Sequence, residues 1–422
     1  MIEWLQLSDD RKRQILQQTS ATTGLPAHAI EKDWWVTLSL QALFSTKWKD
    51  NLVFKGGTSL SKAWGLIERF SEDIDLAIDR EIIGFPEAFV NNAQIIKLRK
   101  KASAFIAGTF RDELEKTLLS MGISQQYFQL TVEQSEIEDR DPQILLLGYH
   151  SCLDNNPDDY IAERVLIEIG ARSLREPSSS REIKTILKEV FPDQPYSGKP
   201  FKVLTVEPKR TMLEKAFLLH EEFLKPEDKI RHLRLSRHLY DLEKLMDTEH
   251  CEAILNDDDF YHSIIEHRRN FNMIRGIDYS SHEFAHINFI PPEQVISKWE
   301  SDYGVMRQNM IFGESLEFNQ LIKRLKELRL RFRAKSVLTS DEIKEKIAEL
   351  KIDAYKLAWL IETASAQIKF PFEPSDSATA IIPVTTPIDI YLPARENNKI
   401  ETFYLHFKVV DENIIFVSID NK

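Results

Sequence analysis

Cysteine is nearly missing: only Cys152 and Cys251 occur in 422 residues, far apart and at no metal-ligand spacing. The chain therefore offers neither a disulfide framework nor a structural zinc site, and both residues are expected as reduced thiols. Long apolar runs are missing too; the longest, Gln143–Leu147 and Val165–Ala171, are strand-sized and far short of a membrane span. The opening MIEWLQLSDDRKRQ has no apolar stretch and no small-residue cleavage site, so no secretory signal is read, and a cytoplasmic address without a membrane partner is expected. Excess positive charge is also lacking. The net charge of −12 disfavours indiscriminate binding to nucleic acid over the whole surface, so any RNA site must be local.

What is present describes a folded, water-soluble chain. Hydrophobic residues make up 42% and charged residues 29%, which separates it from disordered and membrane classes. At this length a single core is unusual, and two or three domains are expected. Local basic charge gathers at Lys323–Lys335, where seven cations face one acid, Glu327, and again at Lys97, Arg99, Lys100 and Lys101. Either can serve as a nucleic-acid contact, but solvated helix faces are the simpler reading of both.

Residues 8–48 read as two helices, started by Asp9 or Asp10 and broken by Thr22–Pro26; the tryptophans at 34 and 35 are expected to pack. A strand at Asn51–Lys55, a glycine turn, a helix over Ser59–Glu68 and a strand over Asp73–Ile78 follow. Residues 91–121 are helical, and strands are expected at Tyr127–Glu133, Ile144–Tyr149, Arg164–Ala171 and Phe201–Val206, the last after a proline-rich loop at Pro192–Pro200. From Thr211 to Lys335 the pattern is almost wholly helical. Beyond a linker at Phe370–Ser377, the segments Ala380–Leu392, Thr402–Val410 and Ile414–Ile419 are β-rich, with Asp411-Glu412-Asn413 as a hairpin turn.

Chemistry concentrates between the first two strands. The paired glycines of Phe54-Lys55-Gly56-Gly57-Thr58-Ser59-Leu60 allow a sharp turn that exposes N–H groups at a helix start, a place suited to phosphate. Downstream, in Asp73-Ile74-Asp75-Leu76, strand alternation points both aspartates to one side and the aliphatic residues to the core. Two carboxylates forced together repel unless a cation lies between them, and oxygen-only ligands suit Mg²⁺ or Mn²⁺. An exposed strand edge with solvated acids is the plain alternative for Asp-x-Asp alone.

Glu168 interrupts an otherwise apolar run and is the choice for a third ligand, unless it pairs with Arg172 or Arg164 at a sheet edge. Thr211-Met212-Leu213-Glu214 reads as a capping box, which makes Glu214 a cap and puts Lys215 in the first turn, where it makes sense as a triphosphate ligand. Arg237 and Asp241, one turn apart, can simply pair.

The phrases Phe54–Leu60, Arg69–Ala77, Arg210–Lys215 and Arg237–Leu242, with Glu31–Trp35 and Asp302–Met306, resemble the AbiEii/AbiGii toxin family, a branch of the DNA polymerase β-like nucleotidyltransferases, over residues 10–335. The resemblance implies a nucleotidyltransferase toxin linked to abortive infection of phage-infected cells. It further implies a cognate antitoxin, protein or RNA, an NTP substrate, and an RNA acceptor such as tRNA. By that analogy Gly57 and Thr58 cradle phosphates, Asp73 and Asp75 hold the metal, Lys215 contacts the triphosphate and Asp241 completes the site; Gly56 in the turn and Glu168 as third metal ligand join them on the residue reading above. His238 stands where the family often has an acid. The fold expected is α+β: a nucleotidyltransferase domain with a mixed sheet at 1–208, a helical domain at 209–335 completing the nucleotide cleft, and a helix-plus-β appendage at 336–422.

Two other functions compete. His282-Glu283-Phe284-Ala285-His286 spells the zinc-protease pattern H-E-x-x-H, but Pro291 and Pro292 leave little helix and no third ligand is placed. A catalytically idle binding protein on the same core is the other; it has no reason to keep unpaired acids together.

Overall fold

The computed structural model describes residues 1–85, 92–134, 141–153, 162–173, 175, 177–272, 274, 276–335, 388–396, 399–410 and 413–421. Two compact units are formed, one of Met1–Ile277 with Pro291–Leu321 and one of Asp278–Ile290 with Ile322–Lys422.

The first unit opens with a single turn, α1 (Ile2–Leu5), and α2 (Asp9–Thr23). Ser8 caps α2 by accepting from the Arg11 N–H at 3.3 Å, and Gly24 at φ 75 ends it, where a left-handed residue without Cβ is preferred. The next helix, α3 (Ala27–Leu43), is buried along nearly its whole length, charges included. Trp34 and Trp35 meet edge to face at 5.0 Å, and Trp35 stacks on Tyr149 at 4.9 Å, as their expected packing role requires. Buried charges need partners. Glu31 accepts from Ser151 Oγ at 2.5 Å and the Cys152 N–H at 2.9 Å, and Asp33 pairs with Lys62 and accepts from the Ile186 N–H at 2.8 Å.

A seven-stranded mixed sheet follows, built from β1 (Leu52–Lys55), β2 (Ile74–Ile78), β3 (Phe128–Val132), β4 (Gln143–Tyr149), β5 (Arg164–Gly170), β6 (Ser178–Ile183) and β7 (Phe201–Val206) in the order β3-β4-β5-β2-β1-β7-β6. β1 runs antiparallel to β2 with Lys55 opposite Asp75, and β2 runs parallel to β5 with Asp75 opposite Glu168. This register carries the acidic residues to the centre of the sheet. β6 escapes the sequence reading because Ser178–Ile183 has little apolar character; its pairing with β7 makes it a strand.

Helix α4 (Gly56–Lys62) begins at the first glycine of the turn and stops well before Glu68, shorter than expected and starting earlier. Helix α5 (Asn92–Phe105) continues through a π-helical turn at Ile106–Phe110 into α6 (Arg111–Ser120), and α7 (Ile186–Val190) precedes β7. After the sheet come α8 (Pro208–Phe223), α9 (Ser236–Leu245), α10 (Glu249–Leu255), α11 (Asp258–Phe271), α12 (Ile296–Asn309) and α13 (Phe318–Ala334). The capping box is corrected: α8 starts at Pro208, whose fixed φ suits the first helical position, so Thr211 lies inside the helix and Lys215 in its second turn.

In the second unit, Phe332 packs against Phe284 and Phe289 at 6.0 and 5.8 Å. Glu327 pairs with both Arg324 and Arg331, and Arg329 donates to Asn288 at 2.8 Å, so much of the basic run is engaged within the fold. The strands β8 (Ile388–Glu396), β9 (Lys399–Val410) and β10 (Asn413–Asn421) form an antiparallel meander, as the tail's composition predicts. The expected linker at 370–377, the helix of the appendage and the turn residues 411 and 412 lie outside the described residues. The protease pattern fails: Glu283–His286 form a turn, so the two histidines do not share a helical face, and His282 is buried against Tyr279. Among the described residues no helix is long and apolar enough to cross a membrane.

Candidate active site

The turn between β1 and α4 is shaped by the acid opposite it. Gly56 sits at φ 79, and a Cβ there would lie 1.9 Å from Asp75 Oδ2, so the carboxylate rests against bare backbone. At Gly57 a Cβ would fall 2.5 Å from the Arg69 guanidinium and 3.1 Å from the Ser71 hydroxyl. Thr58 is placed differently from expectation. It is fully buried beneath the turn, bonded to the Ser71 hydroxyl at 2.8 Å and donating to the carbonyl of Asp73, so it ties the turn to the acidic strand and does not line the cavity.

The segment leading to Asp73 is braced by α9 and by the residues that follow α12. The Phe70 N–H donates to the Met310 carbonyl at 2.6 Å, the Phe312 N–H to the Glu68 carbonyl at 3.1 Å, and the Glu68 N–H to the Tyr240 hydroxyl at 3.3 Å. Arg69 makes a bidentate pair with Asp241, Nε to Oδ1 at 2.7 Å and a terminal nitrogen to Oδ2 at 2.8 Å. Lys215 Nζ reaches the same Oδ2 at 2.8 Å and lies 3.5 Å from His238 Nδ1. Asp241 is thus a fully buried hub under two cations. Burial alone would raise its proton affinity, yet Arg69 and Lys215 outweigh that and hold its carboxyl well below the usual carboxylate range. It does not pair with Arg237, its neighbour one turn away.

Burial, then Lys215 and Arg237, push the His238 imidazole far down, so it stands neutral beside Lys215. Glu214 is no cap either. It accepts from Arg210 at 3.0 Å and faces Lys55 at 4.0 Å; these cations, Arg210 foremost, overcome burial and bring its pKa down to about 2.

Glu214, Lys215 and His238 line a cavity of about 600 Å³, large enough for a nucleotide, whereas Asp241 lies behind Lys215 and does not line it. Gly56, Gly57, Asp73, Asp75, Glu168 and Lys215 all reach it, together with Arg237 and His238 and with Lys55, Arg69 and Ser71, to which the sequence reading gave no individual role. Among the described residues neither the Asp73 nor the Asp75 carboxylate has a hydrogen bond or ion pair, and the Arg237 guanidinium has none. Burial first, and then the charges of Glu72 and Asp75, push the Asp73 pKa up to about 6; burial likewise raises Asp75 against the pull of Lys55 and Arg237. Two acids so placed gain from a shared cation. Among the described residues no three acidic, histidine or cysteine side chains converge as a ready-made metal cage. A pair completed by substrate phosphates is the form in which Mg²⁺ is commonly bound, so the residues fit the ion.

A pH dependence follows. Because the folded pKa of Asp73 exceeds its ordinary value of 3.8, this residue's contribution to the metal-free stability is full below about pH 4 and is lost as pH rises through about 6. Cation binding needs the opposite form, so Mn²⁺ affinity should fall roughly tenfold per pH unit below about 6. Titrations between pH 5 and 8 check this; a flat affinity would contradict it.

The family model described as "Nucleotidyl transferase AbiEii toxin, Type IV TA system" matches residues 39–328, well over half of the chain. No curated protein matches it. Among solved structures, JHP933 from Helicobacter pylori is similar at 14% identity and a TM-score of 0.37, covering 74% of this chain and 94% of that one. Another H. pylori structure, of a candidate nucleotidyltransferase, is similar at 14% identity and a TM-score of 0.35, covering 73% and 95%.

Proposed function

Since the chain belongs to the AbiEii nucleotidyl transferase toxin family of type IV toxin–antitoxin systems, we propose that its cavity transfers a nucleotidyl group from an NTP to an acceptor hydroxyl, with an antitoxin as its cellular counterpart. The observation that carries this is the pair of partnerless carboxylates, Asp73 and Asp75, facing a cavity that Lys215 and Arg237 also line. A catalytically idle binding protein gains nothing from keeping two half-buried acids side by side without partners, since their repulsion destabilises the fold until a cation arrives.

Asp73 and Asp75 would hold Mg²⁺ or Mn²⁺, which would supply charge neutralisation on the attacking and leaving oxygens when bound, while Glu168, opposite Asp75 on β5, lines the same cavity without completing a three-carboxylate cage among the described residues. The protein's own residues do the rest. Lys215, aimed by Asp241, and the unpaired Arg237 meet the negative charge of the triphosphate, while the backbone at Gly56 and Gly57 permits close approach. The acceptor hydroxyl oxygen bonds to the α-phosphorus and gives up its proton to solvent, the bond to the bridging oxygen breaks, and pyrophosphate leaves with its electron pair. RNA, tRNA included, is the acceptor class we favour from the family.

The test incubates purified protein with Mg²⁺, each α-labelled NTP in turn and total cell extract. Label should enter one macromolecular fraction with a preferred NTP. Mg²⁺ plus that NTP at 100 times its Kd should stabilise the fold by about 2.7 kcal/mol. No label from any NTP with folded protein would sink the proposal.

A further inference from the structure

Glu72 stands one residue before Asp73, is almost fully buried, and does not reach the cavity. Its carboxylate is gripped from both sides. Lys32 Nζ, on α3, donates to Oε2 at 2.5 Å and also to the Ala162 carbonyl at 2.9 Å, and the Arg234 guanidinium donates to Oε1. Arg234 sits at φ 60, the one non-glycine residue at positive φ among those described. A side chain with a Cβ disfavours that conformation, and persistent strain of this kind marks places where position matters. Asp302, on α12, holds the strain in place: its carboxylate accepts from the Arg234 N–H at 2.6 Å, the Ser236 N–H at 3.1 Å and the Ser236 hydroxyl at 2.5 Å. Two buried charges, a strained arginine and a remotely supplied helix cap thus converge on the residue adjoining Asp73.

We propose that Glu72, clamped between Lys32 and Arg234, is a positioning residue that fixes the Asp73 carboxylate on the cavity wall for its cation; this rests on the metal-site reading above. The charge arithmetic makes the idea testable. Arg234 is a positive charge close to the cation site, so its removal on electrostatic grounds alone should tighten cation binding. Loss of the clamp should do the reverse, because partners that orient a ligand typically contribute 10–100-fold to metal affinity.

The experiment titrates Mn²⁺ into the full chain, reading free ion by electron paramagnetic resonance. Arg234→Gly suits the positive φ and so should fold with a thermal midpoint near that of the parent, yet bind Mn²⁺ about tenfold more weakly. Glu72→Gln should weaken binding similarly, and Arg234→Lys should restore most of the loss. Arg234→Gly that binds Mn²⁺ as tightly as the parent, or more tightly, overturns the clamp. Asp73→Ala, run in parallel, separates the two ideas: if it loses Mn²⁺ while Arg234→Gly keeps it, only the clamp fails, whereas Asp73→Ala binding like the parent sinks the metal site itself.

Discussion

Replacing Asp73 by alanine should lower nucleotidyl transfer at least about 10³-fold, roughly 4 kcal/mol of transition-state stabilisation, and remove any growth arrest caused by expression of the chain. The carboxylate faces the cavity with no protein partner among the described residues, so its function is exerted on what binds there. Toxicity that survives the substitution at equal expression would contradict the mechanism. A second consequence has the opposite sign. Burial and the charges of Glu72 and Asp75 raise this carboxyl to about 6, so at neutral pH its ionised form strains the empty protein. Asp73→Asn should therefore make the metal-free fold more stable by on the order of 2 kcal/mol near pH 7.5. Thermal melts of the inactive variant that run below the parent would argue against this electrostatic account.

Asp241→Ala should be the most damaging substitution for folding. It leaves Arg69 and Lys215 buried without their shared counter-charge, and breaking a buried pair in this way costs about 3–5 kcal/mol, a fall in Tm of roughly 10 °C. Because its folded carboxyl is held below the ordinary range, the stability Asp241 contributes is present above about pH 4 and lost only as pH falls below that. Chemical denaturation of Asp241→Ala at pH 7 checks the magnitude; a loss under 1 kcal/mol would show that the hub is dispensable. Any drop in transfer then has two sources, reduced folded fraction and a Lys215 no longer aimed at the cavity. Assays at matched folded fraction separate them.

The acidic pair was legible because strand alternation is a local rule: Asp73 and Asp75 flank Ile74, which is fully buried. The glycine turn was legible for a similar reason, although its tightness comes from the Asp75 carboxylate pressed on Gly56. Thr58 and Glu214 were misassigned because sequence spacing shows which roles a side chain can fill, not which neighbour claims it first. Thr58 was claimed by Asp73 and Ser71, Glu214 by Arg210 and Lys55. For Lys215 the error was one of helix phase, since Pro208 starts α8 three residues before the supposed cap.

By itself the sequence determined the elements whose signals are local: helices with caps, strands with alternating faces, a glycine turn, and two acids on one side of a strand. The tertiary structure decided the partnerships. Arg69 and Asp241 are 172 residues apart, and Lys32 meets Glu72 across 40. Nothing in a window of ten or fifteen residues encodes such pairings, because they arise only when the sheet order and helix packing bring distant charges into a space where water cannot solvate them.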